Sequence, residues 1–244
     1  MTEGLHVLCV TAACVAFVHT LLGPDHYVPF LAMSRAGRWS LRKTITVTML
    51  CGLGHVLSSV VVGLVGIAFG LGVLTLEIVD AFRAEVAGWL LLGFGCVYFA
   101  LGLRRAARHR AHVHYHAHAD GVVHSHEHVH TRGHVHVHAP GDDVSDNPSR
   151  PHNLTPWILF TIFVFGPCEV LIPLLMYPAA TGTMWGVVWV TLAFGLTTVV
   201  TMTAVVVGAQ FIVSPITVGR LARYGHALAG FALILCGLTM RAGW

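Results

Sequence analysis

Four side chains in this sequence combine metal-ligand chemistry with an unusual setting. Asp25 and His26 follow Gly23-Pro24, and Cys168 and Glu169 follow Gly166-Pro167. The two stretches read as versions of each other, because Met33 and Met176 fall at the same offset from their Gly-Pro pairs. Asp25 is the only Asp, Glu, Lys or Arg between Glu3 and Arg35, and Glu169 is the only one between Arg150 and Arg220. Both acids lie in strongly apolar surroundings. A charge at the centre of a bilayer costs ~2.5–3.5 kcal/mol even on the most lenient scale, so acids at that depth mark a function by default. Carboxylate and imidazole suit nickel, cobalt, zinc and related divalent ions, and a thiolate shifts the preference toward softer ones.

Two more histidines join the candidate set: His19, seven residues before His26, and His55 in the next apolar stretch. In an unbroken helix seven residues separate two imidazoles by roughly 10 Å along the axis, too far to share an ion held at ~2 Å by each. A break at Gly23-Pro24 removes that obstacle, because Pro lacks the N–H of a helical bond and Gly permits unusual turns. The candidate metal constellation is therefore His19, Asp25, His26 and His55 from one half of the chain with Cys168 and Glu169 from the other. For His19 and His55 the competing reading is a histidine bonded to a carbonyl across helices, and for Cys168 a small apolar packing residue. Ser58, Ser59, Thr197, Thr198 and Thr201 read as glue between helices. His6, His152 and His226, near the ends of apolar stretches, and the other five cysteines read as structural.

The elements that must position these groups are membrane helices. Hydrophobic residues make up 55% of the chain and charged residues 10%, against roughly a quarter charged in soluble domains. Six apolar runs approach or exceed the roughly 20 residues that cross a bilayer: 5–33, 44–73, 86–103, 154–178, 186–213 and 225–240. The first lacks a basic leader region and carries His19, Asp25 and His26, so it is expected to remain as a span and not to be a cleaved signal. Cations concentrate in 35–43, 104–110 and 220–223, whereas 74–85 is mixed and 179–185 has no charge. The positive-inside rule then places both termini outside and the 104–153 loop in the cytoplasm. The expected fold is all-α and polytopic: membrane repeat 1 (1–103) and membrane repeat 2 (154–244), three helices each, with broken first and fourth helices. Three spans per half makes the repeats inverted, an arrangement in which transporters bind substrate near the midplane. Gly52-Leu53-Gly54-His55 laid over Gly195-Leu196-Thr197-Thr198, and Ala87-Gly88-Trp89 over Ala229-Gly230-Phe231, extend the alignment.

The loop is the most conspicuous segment. Twelve of the 18 histidines lie between His109 and His138. They alternate as His112, His114, His116, His118; then His124, His126, His128, His130; then His134, His136, His138. A stretch this polar and repetitive has no core to build and is expected to be largely disordered. Imidazoles are the commonest transition-metal ligands, so it is expected to bind several ions secondarily, as a passive store or as a sensing or delivery device.

At His19-Thr-Leu-Leu-Gly-Pro-Asp25-His26, with Gly-Leu-Gly-His55 in the next span, the chain resembles the nickel–cobalt transporter superfamily. Within it, the urease-accessory-type membrane proteins and the nickel–cobalt efflux proteins are the most similar. Permeases of that superfamily typically show His-x4-Asp-His in an early span; here five residues separate His19 from Asp25. Six spans with a His-rich cytoplasmic loop between the third and fourth resemble the efflux branch. The resemblance implies that His19, Asp25, His26 and His55 handle the metal. The expectation is a secondary transporter in the cell membrane, not an enzyme, with nickel or cobalt (zinc next) as substrate and no permanent cofactor. Expected partners are the ion and the lipid bilayer, with a second copy of the chain or a cytoplasmic metallochaperone as further candidates and no nucleic acid. Two rivals come from other classes. A membrane thiol–disulfide electron carrier needs one thiol from each half, and the repeat sets Asp25 opposite Cys168, leaving Cys51 as a displaced partner. The other rival is a metal-binding membrane scaffold that does not transport.

Overall fold

The computed structural model describes residues 3–108, 112–117, 123–128, 154–168, 170–181, 184–213 and 223–242. Eight helices run along it: α1 (Glu3–Leu22), α2 (Val28–Ala36), α3 (Leu41–Ala68), α4 (Val73–Arg108), α5 (Thr155–Phe165), α6 (Leu171–Ala180), α7 (Met184–Val213) and α8 (Gly225–Arg241). A single 3₁₀ turn, Pro24–His26, separates α1 from α2. Between α4 and α5, strands β1 (His112–Ala117) and β2 (Val123–His128) pair antiparallel, with His112 opposite His128, His114 opposite His126 and His116 opposite His124. The other loop histidines, His109, His118, His130, His134, His136 and His138, lie outside the described residues.

Four of the described helices, α1, α3, α4 and α7, are long and apolar enough to cross a membrane; α5, α6 and α8 are apolar but shorter. Their outward faces carry large apolar side chains in the open, among them Leu22, Leu74, Trp157, Leu196 and Phe211. A soluble protein rarely exposes such continuous apolar surface, and a lipid environment accounts for it. On α1 the inward face is made of small residues: Ala12, Ala16 and Thr20, one per turn, face toward α7.

Ends are closed by recognisable devices. Ser40 caps α3 by accepting the Lys43 N–H at 3.3 Å. Gly70 (φ +65°) ends α3 in the left-handed conformation, and the Leu71 N–H then reaches back to the Gly66 carbonyl at 2.8 Å, satisfying a carbonyl the helix leaves over. The short turn that follows leads directly into α4. This corrects the expected third span, which the charges of Glu77, Asp80, Arg83 and Glu85 had placed from 86 onward. Residues 74–85 are instead the first turns of α4. Asp80 and Arg83 sit one turn apart and form an ion pair at 2.5 Å, so two of those charges are answered within the bundle.

Packing pairs the two halves of the chain. α4 lies along α8, α1 on α7, and α3 on both α5 and α7. The α4–α8 seam is tight because glycines recur every seven residues: Gly88, Gly95 and Gly102 face α8, while Gly230 and Gly237 face α4. A side chain begun at Gly237 would sit 2.8 Å from the Leu92 backbone nitrogen, and one at Gly95 would sit 2.8 Å from that of Ile234. Two apolar clusters flank the middle of the bundle. One gathers Phe30, Met33, Cys51, Leu159 and Met202, and the other Ala12, Val56, Cys168, Leu171 and Phe194.

Candidate functional site

Among the described residues, the helical path is broken at Gly23-Pro24, where a 3₁₀ turn follows, and at Gly166-Pro167. At the first break the Gly23 N–H still bonds the His19 carbonyl at 2.9 Å, and the His26 N–H turns back to the Gly23 carbonyl at 3.1 Å. That tight turn swings His26 back over α1. A Cβ at Gly23 would lie 2.6 Å from His26 Nδ1 and 2.9 Å from Asp25 Oδ1, so only glycine lets the backbone pass this close. At the second break the same logic applies to a different ring: a Cβ at Gly166 would lie 3.2 Å from His55 Nδ1.

The turn brings three imidazoles into one row. The ring centres of His19 and His26 are 4.9 Å apart at an interplanar angle of 82°, and those of His26 and His55 are 5.2 Å apart at 87°. His26 and His55 are buried, at 3% exposure each. Their hydrogen bonds divide the ring nitrogens into two kinds. His26 Nδ1–H donates to Asp25 Oδ1 at 3.2 Å, and His55 Nδ1–H donates to the Phe163 carbonyl at 3.4 Å. A carbonyl and an ionised carboxylate only accept, so a neutral ring in either place carries its proton on Nδ1 and presents a lone pair at Nε2. The Nε2 atoms of His19, His26 and His55 are all buried with no hydrogen-bond partner among the described residues.

A cavity of about 430 Å³ lies against this row, lined by His19, Asp25, His26 and His55 with Gly166 and Pro167. α4 contributes Ala84 and Leu91, and α8 contributes Met240. Phe163, also on the wall, packs its ring on Phe30 with centres 4.6 Å apart. As placed, no three His, Cys, Asp or Glu side chains among the described residues are arranged to hold one metal ion. Neighbouring rings in the row meet edge to face.

Of the six sequence candidates, His19, Asp25, His26 and His55 therefore share one cavity. Cys168 is fully buried in the apolar cluster around Leu171 and Phe194. It is not among the residues that line the cavity, and its N–H donates to Ser59 Oγ at 3.2 Å. Glu169 lies outside the described residues. His6 and His226 stand apart; His226 pairs with Tyr98 Oη at 2.7 Å and Arg105 at 3.3 Å.

Sequence reasoning passed over Arg83. Its guanidinium, only 11% exposed, reaches from α4 to Ser58 and Ser59 on α3 and to the Val164 and Gly166 carbonyls at the second break. The available signal was the i, i+3 spacing of Asp80 and Arg83 in a stretch whose other residues suit a helix. Compared with known proteins, the chain matches no family, no curated protein and no solved structure.

Proposed function

We propose that this chain is a secondary transporter for a divalent transition-metal ion, nickel or cobalt first. It would be embedded in the cell membrane with the His-rich loop in the cytoplasm and both termini outside. The observation that carries the reading is the set of three buried, unpartnered Nε2 atoms beside one cavity, two of them on rings whose Nδ1–H is tied to a carboxylate or a carbonyl. Metal-binding histidines are held by that outer bond, which fixes the tautomer and leaves the other nitrogen to the ion. A buried imidazole nitrogen with no partner is otherwise costly.

The ring spacings suit the reading. Two imidazoles bound to one tetrahedral ion at ~2.0–2.1 Å have ring centres roughly 5 Å apart, and the observed values are 4.9 and 5.2 Å. Asp25 would orient His26 and offset the ion's charge. Glu169, which the Gly-Pro alignment sets opposite His26, would supply the other carboxylate.

Two inverted halves are the natural frame for this chemistry. α1–α2 and α5–α6 would each make one broken span, α3 and α7 the second, α4 and α8 the third. The packing is reciprocal in the way a two-fold relation requires: α1 on α7 is answered by α5 on α3, and like meets like at α3–α7 and α4–α8. Rocking of the halves about the midplane would alternate access. The motif resemblance to the nickel–cobalt transporter superfamily points the same way. Electron transfer between thiols gains nothing from the arrangement, since Cys51 and Cys168 are buried in different apolar clusters.

Proteoliposomes loaded with a metal-sensitive dye test the reading, comparing the wild type with His26→Ala, Glu169→Ala and a deletion of 109–138 in nickel, cobalt, zinc and manganese. Flux that falls in both point variants and persists in the deletion is expected. Undiminished flux in both point variants with every ion would sink the midplane site. Binding without flux in the wild type would leave a scaffold.

A further inference from the structure

Arg83 donates hydrogen bonds to five oxygens among the described residues. Its Nη1 donates to Asp80 Oδ1 at 2.5 Å and Ser59 Oγ at 3.3 Å. Its Nη2 donates to Ser58 Oγ at 2.7 Å, the Val164 carbonyl at 3.1 Å and the Gly166 carbonyl at 3.2 Å. Ser58 spends its own proton on the His55 carbonyl at 2.8 Å, which turns its lone pairs toward the guanidinium. A sixth oxygen, Asp80 Oδ2, is buried with no partner among the described residues, on a residue with 0% exposure.

The oxygens come from three elements: two hydroxyls from α3, the carboxylate from α4, and two carbonyls from the C-terminal end of α5 and the break beyond it. A helix C-terminus carries partial negative charge on such carbonyls, and in broken transporter helices these groups coordinate sodium. Carbonyl, hydroxyl and carboxylate are the hard ligands that hold alkali and alkaline-earth ions. Here a tethered cation stands in that position. Asp80 contributes one negative charge and Arg83 one positive, so a monovalent ion is the free cation that would keep the cage neutral.

We propose that Arg83 is a specificity-determining residue: its guanidinium is the resident cation of an all-oxygen sodium-type cage at the second break, and it denies that cage to free sodium. The imidazole pocket then remains the place in the bundle where a free cation is bound. The cage stands on its own geometry; only its bearing on which ion crosses rests on the transport reading above.

The test is the thermal unfolding of purified Arg83→Ala in sodium chloride and in N-methyl-D-glucamine chloride at equal ionic strength. Sodium at a hundredfold excess over its Kd is expected to raise the Tm of Arg83→Ala by about 5 °C, with no shift in the wild type. Adding Asp80→Asn to Arg83→Ala should abolish the sodium response. Arg83→Lys, which keeps a cation in the cage, should fold without sodium and show no shift. The proposal is overturned if Arg83→Ala unfolds at the same temperature in both salts, if it fails to fold even in sodium, or if Arg83→Lys or the Asp80→Asn double variant responds as strongly. Neither ion flux nor transition-metal binding enters this measurement. A wild type that carries no nickel or cobalt would defeat the transport reading and leave the cage intact, whereas a sodium-blind Arg83→Ala would defeat the cage alone.

Discussion

At the scale of single residues, two of the three imidazoles, His26 and His55, have a held side and an open side. Asp25 is more valuable as the acceptor that fixes His26 than as a bare charge, since its Oδ1 takes the Nδ1 proton at 3.2 Å. Removing such an outer partner typically costs about 10–100-fold in metal affinity, and that loss is expected for Asp25→Ala, read by equilibrium titration with cobalt and its visible absorption. Gly23→Ala is expected to be as damaging for a different reason. The Gly23 backbone is unstrained (φ −87°, ψ 95°), so the harm comes from the new methyl, which would displace the Asp25–His26 pair. Cobalt binding should fall far more than thermal stability; a variant that binds normally would show that the turn has room to spare. The types and depth of His19, Asp25, His26 and His55 were legible in the sequence because polar groups stand out in apolar spans. Which nitrogen faces the cavity was not, because tautomer and ring direction depend on partners such as the Phe163 carbonyl, 108 residues away.

At the scale of elements, the places where the chain stops being helical matter as much as the helices. Gly-Pro pairs announced both breaks, since a missing N–H and a missing Cβ are local properties of the sequence. The start of α4 was hidden for the opposite reason. Four charges within nine residues look like a solvated turn until one knows that Arg83 is answered by Ser58, Ser59, Val164 and Gly166, all distant along the chain. Likewise, the repeat of glycines along α4 and α8 is visible in the sequence, but that the two rows face each other is not. Their close approach makes the seam intolerant of bulk. Gly95→Leu or Gly237→Leu should destabilise the bundle by about 1–3 kcal/mol, the usual range for overpacking, measured by thermal unfolding in detergent. Gly93→Leu, with nothing within 4 Å of its Cβ position, is the matched control and should change little.

At the scale of the whole molecule, the question is how two halves of unlike sequence make one device. The packing of α1 on α7 and of α5 on α3 is what the proposed two-fold relation between the halves calls for, and the number of spans per half would decide the direction of its axis. With three spans in each, as proposed, the axis would lie in the membrane plane and equivalent turns would emerge on opposite faces; with an even number they would emerge on the same face. The turn after α2 contains Arg38 and the turn after α6 contains Thr181, both exposed. In a chain whose native cysteines are replaced by alanine, Thr181→Cys should react with a membrane-impermeant maleimide added to intact cells. Arg38→Cys, set among the cations Arg35, Arg42 and Lys43, should react only after the cells are opened, as the positive-inside rule requires. Labelling of both from the same side would contradict inverted halves. Rocking about a shared midplane would then fail as a mechanism even if the imidazole row still bound its ion.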